Sequence, residues 1–372
     1  MGFLTHLRRD FEQILFANRD PHAIPSMDGA FSPNDLLDEA TPIGEPLPGA
    51  DAVAQAPDGT ICVSAGRNVW RLSGARFENR TVFAALDDEV GALAFHPDGR
   101  LLACTASGLA ALDPGGGKSL LTEAEGEPLR CLTAVAAAPD GTIFVSDGSS
   151  RHRADEWCFD LMERTSLGRL VACGPDLKTA RVLLRGLAYP AGLAVAADGH
   201  LWFSESFAHR VSRALISGPG AIATPQIVIR NMPGYPSRLS RSADGGFWLS
   251  LFGVRTHLIE FVLREDDFRD EMVRTIPPNY WIAPALATAG DCLEPMQIGG
   301  IKALGIQKPW APPRSYGLLA RLDPDGEVVE SLHSRVGGRH HGITAAVETA
   351  QGVVIISKGS GGVLLRQADA NR

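Results

Sequence analysis

Two adjacent histidines, His340 and His341, are the most direct candidates for acid–base chemistry in this chain. An unperturbed imidazole changes charge near neutral pH, so a neutral one facing a substrate can serve as general base. Neighbouring residues of a strand face opposite ways, so at most one of the two points into a given site. A third histidine, His152, stands with Asp155, Glu156 and Trp157 in a charged stretch that could rim a cavity. His257 opens a run with helical spacing and could reach down from it. Other chemistries are missing: no Ser sits in a GxSxG elbow, and neither a phosphate-loop motif nor an HExxH zinc motif occurs. No CxxC pair exists among Cys62, Cys104, Cys131, Cys158, Cys173 and Cys292. Buried, reduced thiols are the expectation, which suits a cytoplasmic protein.

The elements that must position these side chains announce themselves by repetition. The phrase apolar–Asp-Gly–apolar strand occurs at Asp58-Gly59, Asp98-Gly99, Asp140-Gly141, Asp198-Gly199 and Asp244-Gly245, and in degenerate form at Gln351-Gly352. Asp-Gly is hairpin-turn chemistry, because Gly accepts positive φ without steric cost. Each turn runs into an apolar strand that closes on Ser or Cys: Ser64, Cys104, Ser146, Ser204, Ser250 and Ser357. Steps of 40, 42, 58, 46 and 107 residues between the glycines give a beat of about 40, one four-stranded blade per unit. The expectation is an all-β, six-bladed propeller over residues 41–367, with a helical arm over 1–40. Thr41–Leu47 is expected to complete the last blade and remove its open edge.

Two insertions break the beat. Arg151–Ser166, in blade three, reads as a short helix. The second, 252–315 in blade five, begins with an amphipathic helix over Thr256–Thr275 and continues Pro-rich from Pro277 to Pro313. Long excursions from compact domains are usually lids or binding loops, so a cap over one face of the ring is expected. The net charge of −8 argues against nucleic acid and anionic membrane as partners. Residues 1–10 lack the apolar core of a secretory signal, and no run reaches the roughly 18 apolar residues of a membrane span.

From blade three onward the sequence resembles the strictosidine-synthase-like family. The resemblance rests on Asp147-Gly148-Ser149-Ser150, Gly168-Arg169-Leu170, Tyr189-Pro190-Ala191-Gly192-Leu193, Ser204-Glu205-Ser206, Met232-Pro233-Gly234-Tyr235-Pro236 and Tyr316-Gly317-Leu318. It implies a six-bladed propeller related to gluconolactonases and calcium-dependent paraoxonases, with a small-molecule substrate in the central tunnel. It also implies functional residues that this chain lacks. Gly342, in Gly338-Arg339-His340-His341-Gly342, stands where the plant synthases carry a catalytic Glu, which argues against a strictosidine-type condensation. At the expected calcium ligands the chain has Ala50, Thr133-Ala134, Ala191 and Ser237-Arg238, leaving Asp51 as the one carboxylate. No metal and no cofactor are therefore expected.

By the same resemblance Arg238 replaces the ion with a permanent cation near the tunnel, where it orients a carboxylate or phosphate or else pairs with Glu205. Tyr189, Glu205, Ser237, His152, Trp157 and His257 are the further substrate-contact candidates, and His340 aligns best as base. The function expected is a metal-independent hydrolase of lactone or ester type, or a lyase. The alternative is a propeller that binds a small molecule without catalysis.

Overall fold

The computed structural model describes residues 23–113, 115–287 and 314–367, together with the backbone of 301–303 and 306–308. Six sheets are arranged as the blades of a propeller. Their innermost strands, in chain order, are Ala50–Gln55, Val90–Phe95, Leu132–Ala137, Pro190–Val195, Gly234–Arg241 and Ile343–Thr349. At the Asp-Gly turns Gly59, Gly99, Gly141, Gly199 and Gly245 all have φ between +82° and +93°. The aspartate locks the turn from within: Asp58 Oδ1 accepts from Thr60 N at 3.0 Å, and Asp140 Oδ1 from Thr142 N at 2.9 Å. Each turn leads to a second strand such as Ile61–Ala65, buried along its whole length because neighbouring blades cover both of its faces.

Ring closure follows the expected route. Thr41 and Pro42 pair antiparallel with Leu365 and Leu364, adding the fourth strand to blade six. Blade five extends further than the repeat suggests, its outer strand running Val328–Ser334. The expected helical arm lies, up to residue 22, outside the described residues. Residues 23–40 include one 3₁₀ turn, Gly29–Phe31, and run along that outer strand, where Asn34 Nδ2 donates to Ser331 O and Leu37 N to His333 O.

Three of the strand-closing serines tie blade to blade. Ser64 Oγ donates to Gly91 O, Ser204 Oγ to Ser237 O and Ser250 Oγ to Thr344 O, each on the innermost strand of the next blade. Cys104 holds the corresponding place in blade two.

The insertions fold as helices. Blade three contributes Trp157–Glu163, and blade five His257–Arg264 and Asp266–Thr275. The single helix expected over Thr256–Thr275 is thus broken at Glu265, whose ψ of 82° is not helical. The acidic run Glu265-Asp266-Asp267 accounts for this, since negative charge is stabilised at a helix N-terminus. Thr256 caps the first of the pair, its side chain accepting from Ile259 N. Leu161, Met162, Ile259, Val262, Leu263, Met272 and Trp281 form one apolar cluster with Tyr235 and Phe252 of blade five. The two insertions therefore make a single cap.

Candidate functional site

Arg238 enters the tunnel from the innermost strand of blade five and ends among three other blades. Its Nη1 donates to Asp51 Oδ1 at 2.6 Å and to Asp51 O at 2.8 Å in blade one. It also reaches Thr344 O of blade six at 3.4 Å, while Nε donates to Thr133 O of blade three at 3.1 Å. Lys358, just past the closing serine of blade six, donates Nζ to Asp51 Oδ2 at 2.6 Å. One carboxylate is thus shared by two cations. Burial alone would raise the pKa of Asp51, but Arg238 and Lys358 outweigh it and hold the carboxyl well below the usual carboxylate range.

Above this cluster lies a cavity of about 450 Å³. Its apolar wall is Val90, Leu132, Trp157, Tyr189, Phe252 and Leu286, of which Trp157 and Leu286 belong to the cap. Trp157 meets Phe252 edge-on at 5.1 Å between ring centroids. Among the described residues five cationic side chains (Arg67, Arg130, Arg153, Arg238, Lys358) and four anionic ones (Asp51, Asp88, Glu89, Asp155) line it, one positive charge in excess. No histidine is among the described lining residues. Burial pushes the Cys104 thiol in the wall up to about 12 and the Tyr189 phenol well above its ordinary value, so neither ionises near neutral pH.

The predicted residues divide sharply. Arg238, Ser237, Tyr189 and Trp157 line the cavity. Glu205 does not, and its partner is Arg210, not Arg238: they are directly cross-strand neighbours, with Arg210 Nε 2.6 Å from Glu205 Oε2. His152 turns to Glu163, 3.0 Å from Oε1, and stacks on Phe159, while Arg153, Ala154 and Asp155 beside it reach the cavity. His257 is exposed at the first position of its helix.

His340 and His341 also lie off the cavity, buried in the turn before Ile343. His341 Nδ1 meets Ser315 Oγ at 2.7 Å and Nε2 meets Arg335 O at 3.0 Å, so both ring nitrogens are engaged. His340 Nδ1 lies 3.4 Å from Ser360 Oγ. Burial lowers both pKa values, which keeps the rings neutral. Gly342 shows what became of the position next to them. Its φ is +62°, and a Cβ there would come within 2.6 Å of Leu286 O. The cap backbone rests on the space that a side chain at 342 would need.

The sequence comparisons agree with this architecture. Residues 134–219 match the family model described as strictosidine synthase. Protein STRICTOSIDINE SYNTHASE-LIKE 13 of Arabidopsis thaliana is 29% identical over 235 residues, covering 62% of this chain and 51% of that protein. Over these residues the chain is similar to strictosidine-synthase-like proteins. It spans about half the length of the curated relatives it first matches. Among solved structures, the calcium-binding protein regucalcin from Agrobacterium tumefaciens is similar with TM-score 0.57 and 14% identity, covering 88% of this chain and 93% of that one. A gluconolactonase from Xanthomonas campestris is similar with TM-score 0.55 and 14% identity, covering 88% and 92%. At these identities the likeness is one of fold.

The hub of this propeller does not fit a calcium ion. Calcium takes about six to eight oxygen ligands, several of them carboxylates. Here the one hub carboxylate has both oxygens engaged by cationic groups, and a divalent ion beside it would face Arg238 and Lys358. Among the described residues no cluster of three or more His, Cys, Asp or Glu could hold a metal. No described helix is long and apolar enough to cross a membrane.

Sequence reasoning missed Lys358, Phe252 and Leu286. For Lys358 two signals were present. The chain has five lysines against thirty arginines, so a lysine is an unusual choice here, and it follows Ser357, whose repeat position leads to the hub.

Proposed function

We propose that this propeller binds a small organic molecule bearing a carboxylate, held between hub and cap without a metal ion. The observation that carries the reading is the Arg238–Asp51–Lys358 cluster, which leaves one uncompensated positive charge on the floor of a largely apolar cavity. An anion neutralises that charge, and an apolar body of the ligand lies against Trp157, Phe252 and Leu286. The volume of about 450 Å³ suits a molecule of metabolite size.

A second reading, metal-independent hydrolysis of a lactone or ester, or a lyase reaction, is favoured by the same donors. Arg238 and Lys358 in a water-poor site could take up the charge of a developing oxyanion. A cytoplasmic setting belongs to the proposal, on the strength of the buried thiols of Cys62, Cys104, Cys131 and Cys173.

Calorimetry with 3-phenylpropionate and a panel of aliphatic carboxylates tests binding, and a lactone and aryl-ester panel tests turnover. Binding that is lost in Arg238→Met supports the pocket; binding unchanged by that substitution overturns it.

A further inference from the structure

Lys358 is a cavity residue whose chemistry an anion-binding role does not exhaust. An arginine would neutralise Asp51 equally well, and this chain chooses arginine thirty times out of thirty-five. Unlike a guanidinium, an ammonium can lose a proton and become a nucleophile. Its side chain is 36% exposed, so it is open to the cavity, and it shares Asp51 with Arg238, so the two cationic groups stand about one carboxylate apart. Arg238 binds protein through Nε and Nη1, and its Nη2 lies beside Gly91, where no side chain intervenes.

We propose that Lys358 condenses with the carbonyl carbon of a small oxo acid whose carboxylate rests on Arg238. This inference rests on the carboxylate pocket proposed above and names its substrate class. In the step, Lys358 first passes one ammonium proton to Asp51 Oδ2, 2.6 Å away, and the lone pair so freed forms the Nζ–C bond as the carbon–oxygen double bond gives its electron pair to oxygen. That oxygen then leaves as water with two of the three ammonium protons, the one on Asp51 among them. The product is a protonated imine, so Lys358–NH₃⁺ and the carbonyl are converted to iminium and water with no net proton, electron or charge exchanged. The array of Arg238, Asp51, iminium and bound carboxylate is neutral. A cavity with no histidine among its described lining residues, in which Asp51 is held ionised, suits a step that needs no net proton acceptor.

The test is reductive trapping. The protein is incubated with pyruvate or phenylpyruvate and cyanoborohydride, and the modified lysines are mapped by peptide mass spectrometry. Lys118 and Lys178, outside the cavity, serve as internal references. An Arg–carboxylate contact typically contributes enough to favour Lys358 over them by about tenfold or more. 3-Phenylpropionate should protect it, and phenylacetaldehyde, which lacks the carboxylate, should label it no better than the references. Lys358→Arg should abolish the modification, and a cooperative denaturant transition like that of the unmodified chain shows the variant to be folded. Equal labelling of the three lysines, with phenylpropionate still bound, overturns the imine and leaves the carboxylate pocket standing. Selective labelling of Lys358 that phenylpropionate neither competes with nor binds beside overturns the pocket's role in positioning.

Discussion

Replacing Asp51 by Asn should move stability and affinity in opposite directions. The carboxylate is the shared partner of Arg238 and Lys358, with bonds of 2.6 Å to each. Removing one member of a buried ion pair costs about 3–5 kcal/mol. Arg238 keeps 16% exposure and Lys358 36%, so water absorbs part of the loss, and about 2–4 kcal/mol of destabilisation is expected. The same change raises the excess charge of the cavity by one unit. A unit charge about 6 Å from a bound carboxylate is worth roughly 3 kcal/mol at an effective dielectric near 20. Salt and cavity water reduce this by about half, leaving roughly tenfold tighter binding. Denaturant unfolding reads the first quantity and calorimetry with 3-phenylpropionate the second. Weaker anion binding by Asp51→Asn in a folded protein would refute the charge assignment; unchanged stability would refute the shared pair.

Three other outcomes are expected. His341→Ala should leave ligand affinity within about twofold while costing about 1–3 kcal/mol, because its ring holds Ser315 and Arg335 and lies off the cavity; a loss of binding at equal stability would return it to the site. Gly342→Glu should not restore the family carboxylate but lift the cap segment at Leu286, seen as faster proteolysis near residue 286; an undisturbed cap would contradict the close approach. Burial lowers the His333 pKa from 6.5 to about 4, so the folded state binds fewer protons than the unfolded chain between those values. Stability is therefore full above pH 6.5 and falls by about 3 kcal/mol on acidification to pH 4, a slope that His333→Gln should flatten in pH-dependent denaturation.

Much of the fold was legible because it is local and repeated. Asp-Gly turns, apolar second strands and closing serines each state a blade without reference to distant sequence. Even the two-residue closure at Thr41–Pro42 followed from counting the strands of blade six. The site was legible where the repeat carries it inward, as at Arg238, Ser237 and Tyr189, and at Trp157 of the first insertion. His340 and His341 misled because neighbouring residues of a turn give no indication which side of the hub they pass. Glu205 misled because its cross-strand neighbour Arg210 was not considered. Lys358 and Leu286 depend on contacts across 307 residues and across the cap, which no local pattern encodes.

The span of Arg238 across the tunnel has a kinetic consequence. Its partners Asp51, Thr133 and Thr344 belong to blades one, three and six, so the full set of bonds exists only after the ring has assembled. Contacts that form after the rate-limiting step of folding slow unfolding without hastening folding. The guanidinium thus acts as a late latch, setting how long the closed ring persists more than how readily it forms.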